Sequence, residues 1–461
     1  MPAMRPYHVA IVGSGPSGYF AAASLLKFAD SGDRDVRVDM LEMLPTPFGL
    51  VRSGVAPDHP KIKSISAQFE KTALDPRFRF FGNIVVGDDV HPAELAERYD
   101  AVVYAIGAQS DRSLGIPGED LPGSVAAVDF VGWYNAHPHF GEMAPDLTAG
   151  RAIVIGNGNV ALDVARILVS DPDVLAATDI ADHALESLHT RGVEEVVIVG
   201  RRGPLQAPFT TLELRELGEL EALGDVDIVV DPADLADITD EDLEAAGKTV
   251  RNNIKVLRKY AERTPTGATR RIVFRFRTSP IEIKAGDGTP KRVASIVLGR
   301  NELVTDANGK VSAKDTGERE EMPAQLVVRA VGYRGLPTPG LPFDERAGTI
   351  PHVDGRVEGS RNEYVAGWIK RGPSGVIGTN KKDSQDTVDT LLADLSSAEL
   401  ADFGADHADR LAAWLVERQP RVVTDDHWKL IDEHERAAGE GAGRPRVKLT
   451  SVAELLRVGH G

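Results

Sequence analysis

Residues 8–27 read HVAIVGSGPSGYFAAASLLK, and their reading decides the fold. A short apolar run, Val9 to Val12, leads into Gly13-Ser14-Gly15-Pro16-Ser17-Gly18, and a helical pattern follows with Phe20, Ala21, Ala22, Leu25 and Leu26 at its apolar positions. The G-x-G-x-x-G spacing carries weight only in this context of strand, glycine turn and helix. Gly13 permits the tight turn, Gly15 lets backbone approach a pyrophosphate, and Gly18 lets the helix lie close to the strand. The helix start then offers free N–H groups and the positive end of its dipole to the phosphates.

Working outward, the next strand is Val36–Glu42, with Glu42 at its end. The polar loop Asp30–Asp35 accounts for a spacing slightly longer than usual. A carboxylate at a strand end of this kind accepts hydrogen bonds from a ribose and repels a 2′-phosphate. The first cradle is therefore expected to take FAD or NAD. Residues 44–60, LPTPFGLVRSGVAPDHP, are rich in Pro and Gly; Phe48, Leu50 and Val51 argue for a loop shaped against a ligand rather than a linker. A helix is expected from Lys61, then short β runs at Phe78–Phe81 and Ile84–Val86, and a buried strand at 99–108 that ends in a glycine turn.

The opening pattern restarts at Ala152. Ala152–Ile155 runs into Gly156-Asn157-Gly158-Asn159-Val160-Ala161, a G-x-G-x-x-A in which Ala161 still allows close helix packing. Its partner strand, Val196–Val199, ends not in an acid but in Gly200-Arg201-Arg202-Gly203. Paired guanidiniums suit a 2′-phosphate through charge-assisted, often bidentate hydrogen bonds. The second cradle is expected to take NADPH or NADP+. Beyond it, Glu213 and Glu216 fall three apart on one helix face, where they either hold an amide, a ribose or a basic side chain, or simply meet solvent. Lys248, Arg251, Lys255, Arg258 and Lys259 lie on a helix whose apolar face is Val250, Ile254, Leu257 and Tyr260. That local reversal of sign is either a solvated face or a dock for an acidic protein. Residues 325–333 repeat the strand-then-glycine form of 100–108, and 362–379 bring another strand, a turn containing Gly367, and a further glycine-rich turn before a helix from about Lys382. The last sixty residues read as surface helices without chemistry.

Bulk composition bounds the function. A 461-residue chain accommodates two or three domains. A net charge of −17 argues against a general nucleic-acid binder. No apolar run is long enough for a membrane span, and the first residues enter a strand with no apolar signal segment, so a cytoplasmic location is expected. The chain has no cysteine, which excludes disulfides, thiolate-ligated clusters and a redox C-x-x-C within it.

With these segments in place, the chain resembles the adrenodoxin reductase family of NADPH–ferredoxin reductases, and its actinobacterial members most. The resemblance is carried by GSGPSG (13–18), PFGLVRSGVAPDHP (47–60), GNGNVALDVARIL (156–168), VGRRGPLQ (199–206), FTTLELREL (209–217) and GWIKRGPSGVIGT (367–379). It implies an α/β flavoprotein of the glutathione-reductase type with two Rossmann-like domains. The FAD domain would be discontinuous, 1–108 and 325–461, and the NADPH domain would span 109–324. By the same resemblance Ser17, Glu42, Leu50, Val86 and Arg112 would touch FAD, while Trp368, Gly375, Val376 and Ile377 would close over it. Asn157, Gly158, Asn159, Val160, Arg201, Arg202 and Glu213 would hold NADPH. His59, otherwise a lone loop histidine, and Glu216 match positions at the flavin–nicotinamide junction. The implied activity is hydride transfer from NADPH to FAD, then single-electron transfer to an acidic ferredoxin-type iron–sulfur protein. The alternatives are an FAD/NADPH monooxygenase, a diaphorase-type oxidase acting on a small molecule, or a flavin-free NADP-sensing module; the missing cysteines exclude a thioredoxin-reductase-like enzyme.

Overall fold

In the computed structural model, residues 4–32, 34–222, 224–375 and 377–461 are described. The chain divides into two compact units: one comprises residues 1–110, 135–141 and 333–461, the other 111–134 and 142–332. This division departs from the expected one in three places, the smallest being residues 109–110, which fall in the first unit. The strand Leu326–Arg329, placed in advance with the FAD domain, pairs with Arg151–Ile155 and Ser124–Ala126 and so belongs to the second unit. Residues 135–141 return to the first.

The first unit is built on a seven-stranded sheet. Five of its strands are parallel, in the spatial order Glu363–Val365, Ala101–Tyr104, Tyr7–Val12, Val36–Glu42 and Phe78–Gly82. Tyr7–Val12 is buried throughout because both faces of the sheet are covered. Val9 and Ile11 pack on one side with Val38, Met40 and Val103. Ala10 and Val12 pack on the other with Leu41, Val102 and Tyr104. A near-continuous apolar run, rather than an alternating one, is what such a strand requires. Each side chain of that kind, once fully buried, contributes about 1.5–3 kcal/mol. The chain leaves Tyr7–Val12 toward Val36–Glu42 on one flank and later returns as Ala101–Tyr104 on the other, so the first glycine turn lies at the topological switch point.

Three expectations for this unit change. The helix expected from Lys61 is two pieces, Pro60–Lys63 and Ser66–Ala73. Ile84–Val86 forms no strand, only an isolated bridge between Val86 and Val90. The C-terminal helices His407–Arg418, Asp425–Gly441 and Val452–His460 are not mere surface helices. Leu411, Leu415, Ile431, Leu455 and Leu456 are all buried in the core, and Val423 bridges to Gly82 at the sheet edge.

The second unit has a six-stranded parallel sheet in the order Ser124–Ala126, Leu326–Arg329, Arg151–Ile155, Glu195–Val199, Arg270–Arg275, Val226–Val230. A three-stranded antiparallel sheet, Thr278–Ala285, Val293–Thr305 and Val311–Pro323, packs Ile283, Val293, Ile296 and Leu298 against Ile153, Ile155, Val197 and Val199. No helix among the described residues is long and apolar enough to cross a membrane.

The helix Asn159–Val169 is almost wholly apolar inward, yet it buries Arg166 at 3% exposure. Its guanidinium pairs with Asp163 at 2.8 Å and approaches Glu213 at 3.8 Å and Glu216 at 3.7 Å on the helix Thr211–Ala222. Of the partners open to these two glutamates, the structure supplies a basic side chain. Replacing Arg166 with Leu strips three carboxylates of their shared cation, and breaking a buried pair in this way costs about 3–5 kcal/mol. Arg166→Leu is therefore expected to lower the urea midpoint of the second unit by a matching amount; an unchanged midpoint would show the cluster to be energetically neutral.

Candidate functional site: two dinucleotide cradles

The two glycine turns are held by the same bonds. Gly13 N donates to Leu41 O at 2.8 Å, and Gly156 N donates to Val199 O at 2.8 Å. Ala105 N donates to Val12 O and Ala330 N to Ile155 O, each at 2.7 Å. Gly13 sits at φ +102° and Gly156 at φ +124°, in the left-handed region where glycine is favoured. A Cβ would stand 2.6 Å from Ala105 O in the first case and 2.1 Å from Ala330 O in the second. At Gly18 it would stand 2.1 Å from Gly13 O. The middle glycines differ in kind. Among the described residues nothing lies within 4 Å of a Cβ on Gly15, and only Pro208, at 3.9 Å, lies near one on Gly158. Both are helix N-caps without a side-chain cap, so N–H groups of the first turns face open space. That is the space a pyrophosphate needs, and the turns fit such a group.

Strand register assigns the lips. Val12 lies opposite Leu41, and Ile155 opposite Val199. The residue after the partner strand's last pair is Glu42 in the first unit and Gly200 in the second, followed there by Arg201 and Arg202. Glu42 is 8% exposed and accepts from Ser14 N (2.9 Å), Ser14 Oγ (2.6 Å) and Leu44 N (3.0 Å). Burial pushes its carboxyl above the ordinary value, against the pull of these donors. Where that carboxylate would stand, a side chain on Gly200 would meet Asn157 Nδ2 at 2.5 Å. Arg201 is exposed and Arg202 half-buried. Asn159 Oδ1 accepts from Thr210 N at 2.8 Å, tying the second turn to the start of the helix that carries buried Glu213 and half-buried Glu216. Val160 is half-buried in the first turn of its helix.

Around the first cradle lies the first part, 44–54, of the loop expected over 44–60. Phe48 N donates to Ser14 O at 3.1 Å. Gly49 lies so close that a Cβ would sit 2.9 Å from Gly15 Cα, and Leu50 begins a short helix to Ser53. Gly367, at φ +79°, packs on Ser17, leaving 2.2 Å between a Cβ there and Ser17 Oγ. Gly367 N donates to Asp383 Oδ2 at 2.5 Å, and Lys370 Nζ pairs with Asp383 at 3.0 Å. Trp368 follows, its ring 5.5 Å from that of Tyr333. Its Nε1 is buried without a hydrogen-bond acceptor among the described residues, a donor that a ligand acceptor would satisfy. Ile377 opens the helix Ile377–Ser397, which packs on Pro16–Asp30 through Ser384 Oγ to Ser17 O at 3.0 Å. Gly375 is exposed at φ +82°, and Val376 lies outside the described residues. Val86 is half-buried in its bridge, and His59 is buried at the start of the Pro60–Lys63 turn. Arg112, expected at the first cradle, is the second residue past the boundary between the units; it is exposed and its N–H donates to Gly332 O at 3.1 Å.

The sequence reading missed the conformation of Phe48 and two further participants, Asp383 and Arg166. Phe48 takes a left-handed φ of +83° while buried, and only its place in a Phe-Gly pair hints at this. Asp383 reads in sequence as one more acid on a polar helix. Arg166 carried a readable signal, a lone Arg within an otherwise apolar helical face. The basic helix Lys248–Ala261 keeps Lys248, Lys255 and Lys259 exposed, whereas Arg251 donates to Ala246 O and Arg258 to Ile238 O (3.0 Å), so two of the five cations serve the fold.

Residues 7–217 match the family model described as pyridine nucleotide-disulphide oxidoreductase, though this chain has no cysteine. The chain is 73% identical to the NADPH-ferredoxin reductase FprA of Mycobacterium leprae, covering 99% of this chain and all of the relative. It is 42% identical to the mitochondrial NADPH:adrenodoxin oxidoreductase of Salvelinus fontinalis, over 99% of this chain and 92% of that one. The solved structure of Mycobacterium tuberculosis FprA in complex with NADPH superimposes with a TM-score of 0.96 at 72% identity, covering 99% of this chain and all of that one. Two glycine cradles with opposite lips, on a chain related over its full length to these reductases, lead to one conclusion: it belongs to the adrenodoxin-reductase-like NADPH–ferredoxin reductases.

Proposed function

We propose that this enzyme takes reducing equivalents from NADPH at the second cradle, passes them to FAD at the first, and delivers electrons singly to a ferredoxin-type iron–sulfur protein. The observation that carries the reading is the pair of lips at nearly equivalent register. A buried carboxylate in the first unit suits a ribose and rejects a 2′-phosphate, and two guanidiniums in the second suit that phosphate. The solved relative with NADPH supports the second assignment. Bound FAD supplies a two-electron acceptor that gives electrons up one at a time. The chain's own residues bind and orient. In the first unit the turn 13–18 would present N–H groups to the pyrophosphate, and Ser17, Gly367 and Glu42 would help to hold the dinucleotide. Leu50, Val86, Trp368, Gly375 and Ile377 supply the surrounding wall. In the second, Asn157 to Val160 and Glu213 form the cradle that Arg201 and Arg202 complete. His59 and Glu216 position the reacting ring and tune its surroundings, because hydride transfer requires no proton donor. Lys248, Lys255 and Lys259 offer the acidic partner an exposed cationic face.

The purified chain is expected to be yellow, with flavin absorbance near about 450 nm. It is expected to reduce cytochrome c only when ferredoxin is added, at a rate that falls as salt rises. A colourless protein overturns the reading, and fast NADPH oxidation that needs a small molecule and oxygen but no ferredoxin favours a monooxygenase. Arg201→Ala is expected to weaken NADPH by about tenfold to a hundredfold and leave NADH unaffected; equal loss for both, or none, removes Arg201 from phosphate recognition. For His59→Ala, stopped-flow reduction by NADPH should slow by about tenfold with FAD fully retained. A rate equal to that of the unaltered enzyme would take His59 out of the mechanism.

A further inference from the structure

The C-terminal helix Asp425–Gly441 and the segment after it grip one residue of the 44–54 loop from three sides. Arg52, 8% exposed, donates from Nη2 to Glu435 Oε1 at 2.6 Å, and Glu435 is completely buried. Seven residues earlier on the same helix face, Trp428 places its ring 5.5 Å from the Arg52 guanidinium and 5.9 Å from the ring of Phe48. Lys448 Nζ donates to Arg52 O at 2.9 Å. The grip is itself braced. Arg446 reaches Glu435 Oε2 at 3.1 Å and Asp432 at 2.7 Å, and Leu449 N donates to Glu435 Oε1 at 2.9 Å. Gly439 makes the crossing possible, since a Cβ there would lie 2.4 Å from Arg446 Cα. A fully buried carboxylate with two guanidiniums and a backbone N–H is costly to build and costly to break. Burial alone favours its neutral form, yet Arg52 and Arg446 outweigh burial and hold the carboxyl below its ordinary value.

What this strut holds is the wall of the first cradle. Arg52 is in the short helix Leu50–Ser53. Immediately before it, Gly49 presses on Gly15 and Phe48 N donates to Ser14 O. We propose that Glu435 is a positioning residue for the flavin: through Arg52 it fixes the 48–53 loop against the 13–18 turn, so that the C-terminal segment, distant in sequence, sets how tightly FAD is kept. This rests on the assignment of FAD to the first cradle.

The test titrates FAD into flavin-stripped protein, with NADP+ binding to the same preparation as the control. Glu435→Gln is expected to raise the FAD dissociation constant by about tenfold or more and to shift the visible flavin band as the loop loosens. NADP+ affinity should stay within about twofold, because the second cradle has its own unit. Should Glu435→Gln fail to fold, Arg52→Gln, which cuts the same ion pair from the loop side and leaves Glu435 its contact with Arg446, carries the same expectation. An unchanged FAD constant and band in the folded variant overturn the proposal, as does an equal loss of NADP+ affinity, which would mark general destabilisation. An unaltered chain that binds NADP+ but not FAD would instead overturn the cradle assignment, and the strut's role with it.

Discussion

The carbonyl of Leu41 accepts a hydrogen bond from the first glycine of the first turn, and Val199 does the same in the second. On this constraint the rest of the molecule depends. A parallel pair fixed at that register places the residue following the partner strand directly beside the glycine turn, so its chemistry must act on whatever the turn binds. In the first unit that residue is a buried glutamate that already accepts three hydrogen bonds. In the second it is a glycine, and the arginines after it extend outward. On the proposed assignment, specificity for a phosphorylated or an unphosphorylated dinucleotide would follow from one backbone hydrogen bond and the side chain beyond it.

The glycines of the two turns play unequal parts, and the distances separate them. Gly13, Gly18 and Gly156 are required by neighbouring backbone oxygens, because any Cβ would collide. A Cβ on Gly15 or Gly158 would meet no close contact among the described residues. Their lack of a side chain keeps space open, and open space next to uncapped helix N-termini has a physical purpose only when an anion fills it.

Support for the first cradle comes from far along the chain. Gly367 closes on Ser17, Asp383 orders the turn at Gly367 and Lys370, and Glu435 with Trp428 braces Arg52. The segment read as chemically silent is where the last of these braces originates. Breaking such a buried ionic contact by removing one partner leaves an uncompensated charge, so these braces are costly to release.

The sequence by itself determined the local parts: both strand–glycine–helix cradles, the acid lip, the arginine lip and the resemblance that names the family. Each of these is written in consecutive residues, since apolar periodicity, glycine spacing and strand-end chemistry act over a dozen positions or fewer. Tertiary structure alone decided that Leu326–Arg329 belongs to the second sheet and that Arg112 lies in the second unit. It also decided that Arg166 gathers Glu213 and Glu216, and that Glu435 reaches Arg52. Those outcomes depend on which strand fills a gap in a sheet and which distant carboxylate a buried guanidinium meets. Pairing energies between residues hundreds of positions apart leave no periodic trace in the chain. They arise only when the packed core brings the partners within hydrogen-bond reach.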